Sequence, residues 1–188
     1  MISEIKAHLE RHRSVIDYLE QNADRVEQVA GMVADALESG NKVLVMGNGG
    51  SAGDSQHFAA EIVGRFKMER RGLPAIALTT DTSILTAVGN DYGFEQIFSR
   101  QVEALATAGD VVIGISTSGN SPNVLKAVEL ARSAGCRTVG LLGKNGGTIK
   151  GIVDLDITIP GDETARIQEG HITVIHIVCD LVERKLFA

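Results

Sequence analysis

The sequence predicts a single α/β domain in which a five-stranded parallel sheet lies between two layers of helices. Short apolar runs that are typical of buried strands alternate along the chain with longer stretches of helical periodicity. The chain has 188 residues, of which 44% are hydrophobic and 22% are charged. This length and composition indicate one globular domain with a substantial core, rather than a disordered or fibrous chain.

The N-terminal segment, residues 1–39, precedes the first predicted strand. Its apolar residues recur at helical spacing from Ile2 to Leu37, and Gly40 can end the segment as a C-cap. We expect two helices, or one bent helix. The segment carries more apolar surface than one face of a sheet needs, so we expect it to pack between subunits of an oligomer.

Strands and helices then alternate to the C-terminus. The pattern predicts strands at 42–47, 75–79, 110–116, 137–143 and 155–160, and helices at 51–66, 94–107, 122–134 and 164–187. Segment 145–151 is short and rich in glycine, which predicts a loop. Ligands of parallel α/β sheets bind beyond the carboxyl ends of the strands. The loops of interest therefore follow Gly47, Thr79, Ser116 and Gly143.

Charge and cysteine content exclude several classes of protein. A net charge of −6 argues against a general nucleic-acid-binding surface, which needs a basic face. Cys136 and Cys179 lie far apart without CxxC spacing, so we expect buried thiols rather than a disulfide or a thiolate zinc site. The N-terminus is too charged for a signal peptide, and the longest apolar run, 172–179, is shorter than the ~20 residues of a membrane span. We therefore expect a cytoplasmic protein that binds neither nucleic acid nor membrane.

A glycine-rich loop follows the first strand. Gly47, Gly49 and Ala52 match the G-x-G-x-x-G/A pattern of dinucleotide-binding proteins, and Asp81 could contact a ribose. However, Asp81 lies 28 residues beyond Gly53, whereas the pattern places its acidic residue about 20 residues on. A tight turn that requires glycine explains the loop equally well. Dinucleotide binding is therefore a weak alternative.

A second loop, STSGNSPNV at 116–124, contains several hydroxyl side chains. Ser116, Thr117, Ser118 and Ser121 place four hydroxyls around Gly119 at the start of a helix, where free backbone N–H groups and the helix dipole favour an anion. Capping of the helix by one serine is the simpler explanation. Four hydroxyls at the ligand-binding edge of the sheet favour a phosphate site.

Two helices carry residues suited to metal binding or proton transfer. His57 and Glu61 are four residues apart and share a helix face, where an exposed salt bridge is the alternative explanation. On the last helix, Gln168, Glu169, His171 and His176 interrupt the apolar register. A buried neutral histidine bonded to backbone is the common explanation for a residue such as His176. Gln168 and His176 lie about 12 Å apart along the axis and could line one cleft.

Four segments together resemble a known family: GNGGSAGDSQHFAAEIVGR (47–65), AVGNDYGFEQIFSR (87–100), GDVVIGISTSGNSPNV (109–124) and ARIQEGHITVIH (165–176). They are similar to the phosphoheptose isomerases, also called sedoheptulose 7-phosphate isomerases, of the sugar-isomerase (SIS) domain superfamily. The resemblance spans nearly the whole chain. It implies one flavodoxin-like SIS domain over 1–188, a cytoplasmic location, and a homotetramer with active sites between subunits.

The resemblance also implies roles for individual residues. Matching motifs give the substrate-binding residues as Asn48, Gly49, Gly50, Ser51, Glu61, Asn90, Asp91, Ser116, Thr117, Ser118, Ser121 and Gln168. One zinc ion per site would be held by His57, Glu61, Gln168 and His176, although a neutral amide is a weak zinc ligand. Glu61 and His176 would also act as the acid and base.

The implied reaction converts sedoheptulose 7-phosphate to D-glycero-D-manno-heptose 7-phosphate through an enediol, the first step of ADP- or GDP-heptose biosynthesis for lipopolysaccharide and related glycans. The alternative is a non-catalytic SIS scaffold that resembles the replication-initiator-associating proteins. Those scaffolds keep the glycine and serine loops but lose the acid and base positions. Glu61 and His176 are both retained here, which favours an isomerase.

Overall fold

Five parallel strands form one sheet at the centre of the computed structural model, which describes residues 1–188. The strands are β1 (Val43–Gly47), β2 (Ala75–Ala77), β3 (Val111–Ser116), β4 (Arg137–Gly143) and β5 (Leu155–Ile159). Their order across the sheet is β2-β1-β3-β4-β5, and every neighbouring pair is parallel. All five predicted strands are confirmed, with ends that agree within two residues.

The strands read as continuous apolar runs because both faces of the sheet are covered by helices. Along β1, Val43 and Val45 belong to one buried cluster, whereas Leu44 and Met46 belong to another on the opposite face. The first cluster is formed with α1 (Ile2–Gln21), α2 (Ala23–Glu38), α3 (Gly50–Val63) and α8 (Thr164–Phe187). The second is formed mainly with α5 (Ser99–Leu105), α6 (Pro122–Ser133) and α7 (Gly147–Lys150). This is the predicted three-layer sandwich, preceded by the two predicted N-terminal helices.

Two helix predictions were wrong in detail. The helix predicted at 51–66 ends at Val63, because the chain then turns and its next N–H groups bond to a side chain on α8. Residues 94–107 are not one helix. A 3₁₀ turn at Phe94–Gln96 is followed by the separate α5.

Two helices were not predicted. Helix α4 (Thr82–Tyr92) has no buried residue, so its sequence lacks the apolar stripe that indicates a helix. Helix α7 lies in the segment 145–151 that was predicted to be a loop, and its four residues are too few to show a period. None of the eight helices combines the length and apolarity that crossing a bilayer requires.

The chain order reverses at β1, which lies between β2 and β3 in the sheet. Beyond the carboxyl ends of adjacent parallel strands at such a point lies the usual ligand crevice. Gly47 at the end of β1 is paired with Ile115 near the end of β3. The glycine loop and the hydroxyl loop therefore begin side by side at this crevice.

Candidate active site

The hydroxyl loop after β3 is organised by its own serines. Ser116 Oγ lies 2.8 Å from Ser121 Oγ and 3.4 Å from Ser118 Oγ, and it accepts the N–H of Gly119 at 3.1 Å. Ser118 Oγ accepts the N–H of Asn120 at 3.1 Å. Ser116 is buried, while Thr117, Ser118 and Ser121 are half-buried. The predicted hydroxyl cluster therefore exists, with its members gathered at the mouth of the crevice.

The side chain of Ser121 does not act as a simple helix cap. It occupies the N-cap position of α6, but its side chain makes no capping hydrogen bond and faces Ser116 instead. Pro122 is in the first turn of α6, as predicted. Ordinary capping therefore does not explain the loop, and an anion at this helix start is favoured.

The hydroxyl loop is supported from beneath by the segment after β4. Gly119 has a φ of +66°, and a Cβ there would lie 2.0 Å from the carbonyl oxygen of Gly146. The Asn120 side chain accepts the N–H and the hydroxyl of Thr148 at 2.9 and 3.0 Å. Only glycine fits at position 119, which fixes the loop against its neighbour.

The glycine loop is tied to α6 by a pair of amides. Asn48 and Asn123 exchange two hydrogen bonds of 2.9 and 2.8 Å, and Asn123 is buried. An open cavity of about 420 Å³ lies over these two residues and Ser121, with Phe94 at its edge. The two loops therefore share one ligand-sized space.

Helices α3 and α8 pack side by side and bring the predicted catalytic residues together. His57 Nε2 lies 3.2 Å from Glu61 Oε1 and 3.0 Å from His176 Nε2. The ring of Phe66 stacks on His176 with centroids 5.8 Å apart and an interplanar angle of 29°. Glu61, His57 and His176 thus form a row that joins the two helices. His57 is exposed, whereas the other two are half-buried.

Gln168 lies at the N-terminal end of the same helix pair. A Cβ on Gly50 would lie 2.3 Å from Gln168 Nε2, so the amide rests directly against the glycine loop. Gly49 has a φ of +56°, in the region that favours glycine. Ser51 is buried in the first turn of α3. These predicted substrate residues are therefore adjacent. Gly49 allows a positive φ, and Gly50 allows the Gln168 side chain to approach the backbone closely.

Not every predicted residue joins this group. Asn90 and Asp91 are exposed at the end of α4, where they bond to each other at 2.7 Å and to neither loop. Asp81, the possible ribose ligand of a dinucleotide protein, accepts the N–H of Ile84 at 2.9 Å and caps α4. Asp81 therefore has a structural role in this chain.

Three side chains beside the predicted site residues were not predicted from the sequence. Asn123 fixes Asn48, Phe66 contacts His176, and Asp54 lies one turn before His57 with a buried Oδ2 that has no hydrogen-bond partner. Burial raises the pKa of Asp54, and the nearby His57 lowers it in part. Asn123 lies in the segment 116–124, in which only the hydroxyl residues indicated a ligand site. Phe66 and Asp54 carried no signal of their own.

The donors expected for zinc are chemically suitable. Two imidazoles, a carboxylate and an amide are acceptable ligands, and the separations of 3.0 and 3.2 Å are close to the ~3.3 Å between adjacent ligands of a tetrahedral zinc ion. The side chains stand in a row with His57 in the middle, and no three histidine, cysteine or carboxylate side chains are grouped around a common point. The residues therefore fit a metal by their chemistry, and Glu61 or His176 would have to turn toward a shared centre for them to bind one ion.

Comparisons with known proteins agree with this geometry. A model of the SIS domain family matches residues 8–143. A phosphoheptose isomerase from Geotalea uraniireducens is 68% identical over 188 residues, covering all of both chains, and one from Geobacter sulfurreducens is equally similar. This chain belongs to the phosphoheptose isomerase family.

Solved structures of the family have the same fold. A phosphoheptose isomerase from Neisseria gonorrhoeae superposes with a TM-score of 0.92 at 44% identity, covering 98% of this chain and 100% of that one. Another from Francisella tularensis gives 0.94 at 38% identity, covering 97% and 98%. The chain is thus a sugar-phosphate isomerase of the SIS fold, as the resemblance predicted, and these relatives favour an enzyme over the scaffold.

Proposed function

We propose that this chain converts sedoheptulose 7-phosphate to D-glycero-D-manno-heptose 7-phosphate through an enediol, as the first step of nucleotide-activated heptose biosynthesis. The observation that carries the proposal is the row of Glu61, His57 and His176, which two helices bring together beside the glycine loop. A carboxylate and an imidazole in reach of one substrate are the groups that proton transfer between adjacent carbons requires.

The phosphate group would bind in the hydroxyl loop. Ser116, Thr117, Ser118 and Ser121 supply neutral donors, and the free N–H groups at the start of α6 add the field of the helix. A neutral site of this kind suits a chain of net charge −6, because no lysine is needed. Anchoring the distant phosphate would orient the reacting carbons and lower the barrier by several kcal/mol.

The sugar would extend from that loop across Asn48, Gly49, Gly50 and Ser51 toward Gln168. Glu61 would remove the proton from the carbon next to the carbonyl and return it to the neighbouring carbon. His176 would move a proton between the two oxygens, with Phe66 holding its ring. A zinc ion bound by His57, Glu61, Gln168 and His176 would polarise the carbonyl oxygen as a Lewis acid.

We further propose a homotetramer in the cytoplasm. The apolar side of α1 supports an assembly, because Ile2, Ile5 and Leu9 are each more than half exposed in the single chain. Asn90 and Asp91 support the same view, since both are exposed and bond to neither loop of their own chain, as expected of residues that complete a site on another subunit. Cell fractionation and light scattering would check the location and the assembly.

The test is an assay of purified protein with sedoheptulose 7-phosphate, in which ¹³C NMR follows the aldose product. We expect Glu61→Gln to lower kcat by roughly 10²- to 10⁴-fold, because a positioned acid or base contributes about that much. Glu69→Gln, which changes an exposed glutamate of the following loop, is the matched control and should keep full activity.

Three outcomes would revise the proposal. Full activity of Glu61→Gln would remove Glu61 from the mechanism. A wild-type protein that assembles but converts no heptulose phosphate would favour the scaffold. A chelator should lower the rate and added zinc should restore it, and a rate that neither treatment changes would exclude a metal from the reaction.

A further inference from the structure

A buried ion pair lies just beyond the row of Glu61, His57 and His176. Arg70 Nε lies 3.0 Å from Glu183 Oε1, and each side chain is 1% exposed. Glu183 is on α8, two turns after His176 and on the same side of the helix. Arg70 is in residues 64–71, the segment after α3, which we call the strap.

Glu183 holds the backbone of the strap. Its two carboxylate oxygens accept the N–H groups of Phe66, Lys67 and Met68 at 2.7, 2.8 and 2.9 Å. Three consecutive N–H groups on one buried carboxylate fix the direction of that segment. The ring of Phe66 is thereby set against His176.

Arg70 holds the end of α3. Its guanidinium donates to the carbonyl of Glu61 at 2.9 Å, that of Ile62 at 2.9 Å and that of Gly64 at 3.1 Å. The last carbonyls of a helix have no partner within it, so these bonds replace the missing ones. The backbone of the residue expected to act as base is therefore bonded directly to Arg70.

The Arg70–Glu183 ion pair is thus connected to both Glu61 and His176, the proposed base and acid. We propose that Arg70 and Glu183 are positioning residues of the isomerisation, which set Glu61 relative to His176 through the end of α3 and the ring of Phe66. This inference rests on the proposed function. Both side chains are almost fully buried, so neither is expected to touch the substrate.

The chain offers a matched control outside the pair of helices α3 and α8. Asp110 is also fully buried, where it accepts from Lys42 Nζ at 2.7 Å and from the backbone N–H groups of Lys42 and Thr107. It precedes β3 and lies far from the carboxyl ends of the strands. Asp110→Asn should therefore weaken the fold in the same way as Glu183→Gln without disturbing the site.

The experiment compares Glu183→Gln, Arg70→Lys and Asp110→Asn for thermal midpoint, kcat and KM. We expect Glu183→Gln and Arg70→Lys to lower kcat by roughly 10- to 100-fold with KM changed less than about threefold, because a small misplacement of reacting groups has an effect of that size. Asp110→Asn should keep the kcat of the wild type despite a lowered midpoint. Unchanged kcat in folded Glu183→Gln and Arg70→Lys would overturn the proposal, as would an equal loss in Asp110→Asn.

Two further measurements keep the test decisive. If the ion-pair variants do not fold, Phe66→Leu interrupts the same connection at a half-buried position, and an unchanged kcat there would contradict the proposal. The imidazole NMR signals of His57 and His176 should shift in Glu183→Gln but not in Asp110→Asn. This readout holds even if the wild type converts no heptulose phosphate, in which case the proposed function alone would fail.

Discussion

At the scale of single residues, two histidines of α8 show how position determines role. His171 and His176 are five residues apart and point about 140° apart around the helix. His171 is fully buried with Nε2 2.8 Å from the carbonyl oxygen of Leu142, whereas His176 faces His57. The buried neutral histidine that the sequence allowed on this helix is therefore His171, and His176 is left free for chemistry.

His171 predicts a specific pH dependence of stability. Burial lowers its pKa from 6.5 to about 4, although the bond to Leu142 opposes the shift. Below pH 6.5 the unfolded chain takes up a proton that the folded chain refuses until about pH 4, so stability falls across this window, by roughly 3 kcal/mol in all.

His171→Gln should flatten that dependence, because glutamine can still donate to Leu142 but does not titrate. Urea unfolding at a series of pH values between about 7 and 4.5 measures the slope for each protein. His8→Gln, which changes an exposed histidine of α1, should keep the slope of the wild type. An equal slope in His171→Gln would show that another group causes the acid sensitivity.

At the scale of secondary-structure elements, the site depends on the packing of α3 against α8. Gly50 and Gln168 meet at one end of the pair, His57 and His176 meet in the middle, and the strap joins the other end to Glu183. Each pair combines residues more than a hundred positions apart in sequence. The separation of the two helices therefore sets the separation of every group in the row.

Gly50→Ala tests the tight end of this pair. A Cβ at position 50 would displace the Gln168 amide, while alanine is otherwise well tolerated in a helix. We expect stability within about 1 kcal/mol of the wild type but a kcat/KM roughly tenfold lower. Gly53→Ala is the control, because a Cβ there meets nothing within 4 Å. Equal activity of the two variants would place Gln168 outside the substrate site.

At the scale of the whole molecule, the single chain leaves apolar surface uncovered. Ile2, Ile5, Leu9 and Ile16 lie on one side of α1 and are 73%, 58%, 52% and 37% exposed. Beside them is a groove of about 350 Å³ lined mostly by apolar residues of α1, α2 and α8. Contact with another copy would bury this surface, consistent with the proposed tetramer.

Leu9→Glu should therefore disrupt the assembly, because a carboxylate would be buried without a partner at the contact. Size-exclusion chromatography with light scattering should show smaller species than the wild type. Ala7→Glu adds the same charge on the exposed opposite side of α1 and should leave the assembly intact. If Leu9→Glu kept the mass of the wild type, this side of α1 would not be the contact.

The sequence by itself determined the layers, the strands and the positions of the glycine loop and the hydroxyl loop. Strands β1, β3 and β4 are largely apolar because both faces of the sheet are buried, and the glycine and serine loops are marked by their residue types. Local patterns of this kind depend on neighbours in the chain. Helices α4 and α7 were missed for the same reason, since one lacks a buried side and the other is a single turn.

Only the tertiary structure decided which distant residues contact one another at the site. Nothing in the spacing of Glu61, His176, Arg70 and Glu183 specifies that they meet along two packed helices, or that Asn123 holds Asn48. The structure also shows that His171, rather than His176, is the buried histidine of α8. Contacts between distant residues follow from the packing of whole elements, and a pattern read along the chain carries no information about that packing.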